Sequence, residues 1–306
     1  MLEPIELFPE IPNLYEFPSV HAGMLYDERR VNAYRRAIDS TVKKGDIVVD
    51  VGTGTGLLSF LCLQAGAKRV HAIEKSPVIK WAKLLAEKNG FADRILFHHT
   101  DARNVEIGEK ADVVVSEIIG HMAFEEGMTE TITATKDRFL KKGGVLIPQN
   151  VALNAALVNE PEIYDSYING WDKVCGVDYS VMREQAVQQA YITDISERDL
   201  LSRSIKIFTV DFSQTCLDEY INTGTFTTLR NGFVNGVAFW FDAQLSPLVK
   251  LSSSPWTKTH WKQCFVPFQK AIDVSAGDIV DVDFEIRFRT SCKDEFVLKV
   301  RPNLRS

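Results

Sequence analysis

The chain has 306 residues, of which 45% are hydrophobic and 25% are charged. This balance is typical of a soluble globular protein, and the length predicts two domains with a sizeable core. The net charge of -6 suits a cationic substrate and argues against direct nucleic-acid binding. No apolar run approaches the roughly 20 residues that a membrane helix needs, and no signal peptide is recognised. We therefore expect no membrane association and a cytoplasmic protein, or also a nuclear one if the source is eukaryotic.

The five cysteines are scattered along the chain and form no CxxC pair. An odd number of widely spaced cysteines indicates reduced thiols, and it offers no spacing that is typical of a zinc site. We therefore expect no bound metal.

The chain changes character near Pro148. Before it, strand-like and helix-like stretches alternate, from GDIVVDVG and GLLSFLCLQAG to RILFHHTDA and ADVVVSE. Such alternation indicates βαβ units and a parallel sheet. After Pro148 the stretches have period two, as in VALNAALV, GVAFWFDAQL and DIVDVDFEIRFR, which predicts an antiparallel sheet or barrel. The predicted domains are residues 1–147 and 148–306.

An aromatic-rich segment at about 162–182 interrupts the second domain. It contains Tyr164, Tyr167 and Trp171 and is too long for a simple strand connection. Exposed aromatic side chains favour packing on a partner, so this segment, called the arm below, is a candidate contact surface.

A glycine-rich turn, DVGTGTG, follows the first predicted strand. Gly52, Gly54 and Gly56 allow the backbone to approach a ligand closely and lead into a helix amino terminus. Their spacing differs from the strict dinucleotide fingerprint. Asp50 precedes the first glycine, and Glu74 ends the second strand, where it can hold the two hydroxyls of a ribose. Together with the motifs below, this favours S-adenosylmethionine over NAD as the ligand.

The segment upstream of the first strand is predicted to be helical from about Met24. Met24, Asp27, Arg30 and Tyr34 recur at spacings of three and four residues and would share one helix face. A helix face that combines a methionine with charged residues is unsuited to the protein core. Such a face suits a zwitterionic ligand whose carboxylate pairs with Arg30. The alternative is a solvated helix with an Asp27–Arg30 pair.

Glu117 and Glu126 lie nine residues apart in SEIIGHMAFEE, between a predicted buried strand and a predicted amphipathic helix. The pair therefore falls at the carboxyl end of a strand, where open α/β sheets bind ligands. Two carboxylates match the planar fork of a guanidinium with charge-assisted hydrogen bonds. The alternative is a pair of solvated loop glutamates.

The tripeptide Thr259-His260-Trp261 completes the pattern. The glycine-rich strand, the two-glutamate loop and this THW tripeptide, in this order, resemble the protein arginine N-methyltransferases from about residue 21 to about residue 300. The resemblance implies a Rossmann-like class I methyltransferase domain followed by an antiparallel β-barrel, with the arm as a helical dimerisation element that makes a homodimer.

The resemblance also implies roles for individual residues. Arg30 would bind the cofactor carboxylate and Glu74 the ribose, while Asp50 and the glycines would lie under the methionine moiety. Other positions matched to the S-adenosylmethionine site are His21, Met24, Asp101 and Ala102.

On the substrate side, the resemblance makes Glu117 and Glu126 the pair that grips the arginine guanidinium. His260 would pair with Asp27, and either this pair or a glutamate would take the released proton. Further matched positions near the acceptor are Tyr15, Met128 and Trp261.

The chain departs from the family pattern in its arginine channel. Only Tyr15 remains of the amino-terminal YFxxY motif, Ile118 replaces a usual Trp, and His121 replaces a usual Tyr. These departures leave the acceptor open.

Three hypotheses follow from the sequence. The first is methylation of arginine in proteins or peptides, to monomethylarginine and asymmetric dimethylarginine. The second is methylation of free arginine or a small guanidine. The third is a non-catalytic, prozyme-like subunit that activates a partner.

Overall fold

The computed structural model describes residues 17–171, 173–214, 219–288 and 297–304. Tyr15 lies outside these residues. The first half of the chain alternates helices and strands. In order, its elements are α1 (Pro18–Leu25), α2 (Glu28–Thr41), β1 (Ile47–Val51), α3 (Leu57–Gln64), β2 (Arg69–Glu74), α4 (Ile79–Lys88), a 3₁₀ turn (Ala92–Arg94), β3 (Ile95–His99), β4 (Ala111–Ser116), α5 (Met128–Phe139) and β5 (Leu140–Ile147).

The strands β1 to β5 form one sheet in the order β3-β2-β1-β4-β5, and every pairing in it is parallel. All five residues of β1 are buried, which explains its nearly continuous apolar sequence. The parallel sheet predicted from the alternation is confirmed. From β1 the chain adds β2 and β3 on one side of the sheet, and it then adds β4 and β5 on the other side of β1. The strand order therefore reverses between β1 and β4, and the crevice at this point is the expected ligand site.

The helix predicted from Met24 onward is wrong in one respect, because it is broken. The first helix, α1, ends at Leu25, and α2 begins at Glu28. Asp27 caps α2, since its Oδ1 accepts a hydrogen bond of 3.0 Å from the backbone nitrogen of Arg30. Met24 therefore belongs to another helix than Arg30.

The second half of the chain begins after a cis peptide between Ile147 and Pro148. Its elements are β6 (Asn150–Val158), α6 (Pro161–Ile163), a π-helical turn (Tyr164–Ile168), a 3₁₀ turn (Asn169–Trp171), β7 (Lys173–Val174), β8 (Val177–Asp178), α7 (Ser180–Ala186), β9 (Tyr191–Thr193), a 3₁₀ turn (Glu197–Asp199), β10 (Ile205–Asp211), β11 (Glu219–Thr227), β12 (Gly232–Ser246), β13 (Val249–Ser252), β14 (Gln263–Val274), β15 (Ile279–Arg287) and β16 (Val297–Leu304).

Two antiparallel sheets make up most of this half. One has the order β10-β6-β12-β14-β9 with β13 paired to β12, and the other has the order β11-β15-β16. They pack through aromatic side chains, for example Phe239 on Phe284, whose ring centroids lie 5.9 Å apart. The antiparallel domain is thus confirmed, and the closed barrel stays a prediction. Across the parts of the chain that are described, no helix has the length and apolar character needed to cross a membrane.

The arm combines helical turns, a two-stranded hairpin (β7 and β8) and α7, so it is less purely helical than predicted. The expectation that Tyr164 is exposed is wrong. Its ring is buried, and its hydroxyl donates to the Phe268 carbonyl at 3.1 Å. The Trp171 ring is partly buried and its Nε1 donates to the Tyr167 carbonyl at 2.7 Å. The apolar residues that the arm does expose are Tyr167, Val174, Val177, Tyr179, Val181 and Met182.

Candidate active site

The glycine-rich turn joins β1 to α3 at the crevice of the parallel sheet. Gly52 has φ 74° and Gly54 has φ 55°, a left-handed conformation that favours glycine. A Cβ atom on Gly52 would lie only 2.6 Å from Cγ2 of Ile118, so this position also requires glycine on steric grounds. Above Gly54 the space is open, since a Cβ atom there would have His21 Cε1, at 3.9 Å, as its nearest neighbour. The turn at residues 52–56, called the cradle below, therefore leaves open space next to His21.

Asp50 lies fully buried at the end of β1. Its Oδ2 accepts hydrogen bonds from Thr53 Oγ1 and Ser59 Oγ, both at 2.7 Å. Among the described residues, no group donates a hydrogen bond to its other oxygen, Oδ1. Burial raises the pKa of Asp50 to about 6, against a reference value of 3.8. An unsatisfied buried acceptor of this kind fits a ligand that brings a donor.

Because its pKa is raised in the folded state, the buried carboxyl group of Asp50 should lower the free energy of unfolding once it ionises. Between pH 3.8 and about 6 the carboxyl group of Asp50 holds a proton in the folded protein that it has released in the unfolded chain, so its contribution to stability falls as pH rises through this range. The Asp50→Asn variant has no such proton. We expect its unfolding free energy, relative to wild type, to rise by about 3 kcal/mol between about pH 4 and pH 7.

Urea unfolding of both proteins without cofactor, at a series of pH values, measures this difference. Asp39→Asn, on the exposed face of α2, controls for the loss of a surface carboxylate. A difference between Asp50→Asn and wild type that stays constant with pH would contradict the prediction.

Glu74, at the end of β2, holds the glycine-rich turn from the other side. Its Oε2 accepts from the Gly54 backbone nitrogen at 3.0 Å, and its Oε1 accepts from the Ser76 nitrogen at 2.8 Å. The carboxylate predicted to bind a ribose is therefore fixed beside the cradle.

Asp101 and Ala102 follow β3 at the same edge of the sheet. The carboxylate of Asp101 is bound by Arg103, whose Nε and Nη2 donate at 2.9 and 2.7 Å, and this lowers the pKa of Asp101. Arg103 also donates to Glu130 at 3.0 Å. Arg103 was not predicted from the sequence, because this contact depends on the conformation of the loop after β3.

Arg30 and Glu117 form a buried ion pair across the crevice. Arg30 Nε donates to Glu117 Oε2 at 2.7 Å, Nη2 donates to the same oxygen, and Nη1 donates to the Met24 carbonyl at 3.0 Å. Burial alone would lower the pKa of the guanidinium, but the Glu117 carboxylate raises it overall. Nearby, the Tyr34 hydroxyl donates to the Ser116 carbonyl at 3.0 Å and ties α2 to β4. The alternative of a solvated Asp27–Arg30 side-chain pair is wrong.

A cavity of about 170 Å³ opens at the carboxyl end of β4. Both glutamates of the two-glutamate loop line it, as does Met24 from α1. The residues that form its wall are Val20, Met24, Glu117, Ile119, Gly120, His121, Glu126, His260 and Trp261. The fold thus brings together the two-glutamate loop, the THW tripeptide and the end of α1.

The Asp27–His260 pair predicted from the resemblance is present. Asp27 Oδ2 accepts from the His260 backbone nitrogen and contacts its Nδ1, both at 2.9 Å. Burial would raise the pKa of Asp27, but these hydrogen bonds and the one from Arg30 lower it overall. Trp261 Nε1 donates to the Ile119 carbonyl at 2.7 Å. The THW tripeptide is therefore hydrogen-bonded both to Asp27 at the α1–α2 junction and to Ile119 in the two-glutamate loop.

A third glutamate shapes the two-glutamate loop and was missed. Both carboxylate oxygens of Glu125 accept from the Met122 backbone nitrogen, at 3.0 and 3.1 Å, and burial raises the pKa of Glu125. Its side chain fills the space in which Gly120 lacks a Cβ. Two adjacent glutamates in the sequence gave no indication that one turns inward while the other faces the cavity.

Met128 lies apart from this cavity. It is fully buried in the first turn of α5 and is absent from the cavity wall. The expectation that Met128 lies near the acceptor is therefore not met in this cavity, whereas Met24, matched to the cofactor site, does line it.

The glycine-rich cradle at the crevice of a parallel sheet, with an antiparallel domain appended, defines a Rossmann-like protein that binds a nucleotide-containing ligand. A sequence model of the ribosomal protein L11 methyltransferase family matches residues 35–156, and one of the arginine methyltransferase oligomerization subdomain matches residues 150–300.

Whole-chain relatives agree with both matches. The probable protein arginine N-methyltransferase 6 of Arabidopsis thaliana is 31% identical over 87% of this chain and 72% of its own length. The protein arginine N-methyltransferase 6 of Xenopus laevis is 32% identical over 87% of this chain and 84% of its own length. The chain belongs to the protein arginine N-methyltransferase family and is an S-adenosylmethionine-dependent enzyme.

Solved structures show the same fold. A chain of the Trypanosoma brucei PRMT1 enzyme–prozyme heterotetrameric complex with AdoHcy matches with a TM-score of 0.85 at 20% identity, over 94% of this chain and 99% of that one. Arabidopsis thaliana protein arginine methyltransferase 10 matches with a TM-score of 0.82 at 22% identity, over 95% of this chain and 94% of its own.

Proposed function

We propose that this protein transfers methyl groups from S-adenosylmethionine to guanidinium nitrogens of arginine in protein substrates. The observation that carries the proposal is the cavity at the end of β4, whose wall includes both Glu117 and Glu126. Glu117 pairs with Arg30, so Glu126 offers its carboxylate to a substrate guanidinium in this cavity, with which it can form charge-assisted hydrogen bonds.

The residues at the crevice fit S-adenosylmethionine, which supplies a sulfonium methyl group when bound. Glu74 offers carboxylate oxygens to the ribose hydroxyls, and the open space above Gly54 gives room for close approach. Asp50 Oδ1 is an acceptor for a bound donor. The cofactor carboxylate is assigned to the Arg30 guanidinium, which also pairs with Glu117.

For catalysis, the cavity must make one nitrogen of a protonated guanidinium more nucleophilic. With a pKa of about 12.5–13.8, the group is charged at neutral pH and its nitrogens are poor nucleophiles. A carboxylate beside it draws the positive charge toward one nitrogen and leaves more lone-pair character on another. Because Glu117 already faces Arg30, we assign most of this charge localisation to Glu126. Holding the nitrogen in line with the methyl group adds proximity, an effect of about 7–11 kcal/mol in well-oriented reactions.

The experiment offers methyl-labelled S-adenosylmethionine together with one of three acceptors: an arginine-containing peptide, the same peptide with lysine for arginine, and free arginine. Label in the arginine peptide alone supports the proposal. Label in free arginine alone would identify a small-molecule methyltransferase. Absence of label in every acceptor, with activity appearing on addition of a related active enzyme, would identify a prozyme-like subunit.

We further propose that the product is monomethylarginine and then asymmetric dimethylarginine. Room beside the acceptor nitrogen supports this, because Met24 is an unbranched, flexible wall residue that can adapt to a nitrogen already carrying one methyl group. We expect Met24→Phe to narrow the cavity and reduce the dimethylated fraction at least about tenfold, a loss equal to about 1.4 kcal/mol.

Acid hydrolysis and chromatography of the methylarginines measure this fraction, and Met182→Phe in the arm is the control. Symmetric dimethylarginine from the wild type would contradict the steric argument. Monomethylarginine alone from the wild type would show that the cavity, whose wall includes His121, is already too narrow for a second methyl group.

We propose a homodimer that the arm mediates. The arm presents exposed apolar side chains, among them Tyr167 and Val181. On the first domain, α4 exposes a second apolar face formed by Trp81, Leu84 and Leu85. Apolar surfaces of this kind on two separate elements suit packing of the arm of one copy on α4 of another.

We expect Val181→Asp and Leu84→Asp each to convert the protein to a monomer at micromolar concentration, because each buries a charge in the proposed contact. Light scattering measures the mass. Leu248→Asp, in an exposed turn of the second domain, is the matched control and should leave the dimer intact. A monomeric wild type, or dimeric arm and α4 variants, would contradict the proposed contact.

A further inference from the structure

We propose that His121 is the proton acceptor of the reaction, taking on its Nε2 the proton that the guanidinium nitrogen loses on methylation. The inference rests on the proposed function and names a residue for a role that Glu117, Glu126 and His260 could otherwise fill. His121 lies in the wall of the same cavity as these three groups.

The hydrogen bond of His121 fixes which ring nitrogen carries the proton. Nδ1 lies 2.7 Å from the carbonyl oxygen of Trp261. A carbonyl oxygen can only accept, so Nδ1 must be the donor and must carry a hydrogen. In the neutral imidazole the lone pair is therefore on Nε2, at the opposite side of the ring. Since Trp261 is itself held by its hydrogen bond to the Ile119 carbonyl, this arrangement is rigid.

The surroundings keep this imidazole neutral before the reaction. Burial lowers the pKa of His121, and the nearby His260 adds to this, while the Trp261 carbonyl and the Glu126 carboxylate oppose it without reversing it. The other titratable group on the cavity wall is Glu117, which is paired with Arg30. A neutral imidazole can accept a proton at pH 7, and the Glu126 carboxylate then stabilises the imidazolium that forms.

In the proposed step, the guanidinium nitrogen forms a bond to the methyl carbon while the bond between that carbon and the sulfonium sulfur breaks, and the electron pair of the broken bond stays on sulfur. The nitrogen gives its proton to Nε2 of His121. The imidazolium releases this proton to solvent before the next turnover.

The His121→Asn variant distinguishes a role of His121 as proton acceptor from a purely structural role. The asparagine amide can still donate to the Trp261 carbonyl, but it has no basic nitrogen. We expect kcat to fall by about 10²–10³-fold with KM changed only a few-fold, and the fall of kcat toward acidic pH to disappear. His260→Asn is the comparison, and in that variant the acidic fall of kcat should persist.

A second readout is independent of turnover. Nitrogen-15 NMR of the resting protein at pH 7 should find His121 neutral and protonated on Nδ1. A ring protonated on Nε2 alone, or on both nitrogens, would overturn the inference, as would a wild-type kcat and pH profile in folded His121→Asn. Both results leave the proposed function standing. A wild-type protein that methylates no arginine would overturn the proposed function and this inference together.

Discussion

Glu126→Gln is expected to lower kcat by at least about 10²-fold while cofactor affinity changes little, since charge stabilisation in a preorganised site is commonly of this size. Glutamine keeps the shape of the side chain and loses the charge that localises the positive charge of the guanidinium. Single-turnover assays with an arginine peptide measure the rate, and calorimetry measures cofactor binding.

Glu106→Gln is the matched control for this change. Its carboxylate is 92% exposed and forms a surface ion pair with Arg138, so kcat should stay near the wild-type value. Activity of Glu126→Gln close to that of wild type would remove this glutamate from the mechanism.

Arg30→Met is expected to destabilise the cofactor-free protein by about 3–5 kcal/mol, because it leaves a buried carboxylate without its partner. The side chains of Arg30 and Glu117 are only 10% and 6% exposed. The penalty should shrink when Glu117→Gln is added, since the charge that lost its partner is then gone. Urea unfolding of the two single variants and the double variant gives this coupling directly.

Arg29→Met serves as the control, because its side chain is exposed on the same turn of α2. Its unfolding free energy should stay within about 0.5 kcal/mol of wild type. An Arg30→Met variant as stable as Arg29→Met would show that the ion pair contributes nothing to the fold.

Local sequence patterns were sufficient for the parallel sheet and for the glycine-rich turn. A buried strand followed by closely spaced glycines specifies its structure within a few residues, as at β1 and Gly52. The Asp27–His260 contact was expected only through family resemblance, because the two residues are 233 positions apart.

Other features depend on tertiary contacts that no local pattern encodes. The break between α1 and α2 is fixed by Asp27, which caps one helix while it binds His260. The Arg30–Glu117 pair joins residues 87 positions apart. Tyr164 was expected on the surface because aromatic residues in an insertion suggest a contact with a partner, yet its own chain covers it.

The pairing of Arg30 with Glu117 also changes how the two glutamates are viewed. From the sequence they form a pair that grips one guanidinium, with Glu126 favoured for charge localisation. In the structure Glu117 already binds a guanidinium of its own chain, which links the cofactor cradle to the acceptor cavity. The two carboxylates therefore have different partners, and Glu126 is the one that we assign to the substrate.

The residue that receives the methyl group decides whether this protein methylates arginine. An arginine peptide is incubated with S-adenosylmethionine and the protein, and tandem mass spectrometry locates each added methyl group. The proposed function predicts one and then two methyl groups on the arginine side chain, and it predicts that both appear at least about 10²-fold more slowly when Glu126→Gln replaces the wild type. Methyl groups on another residue, or an unmodified arginine peptide with fully folded wild-type protein, would contradict it.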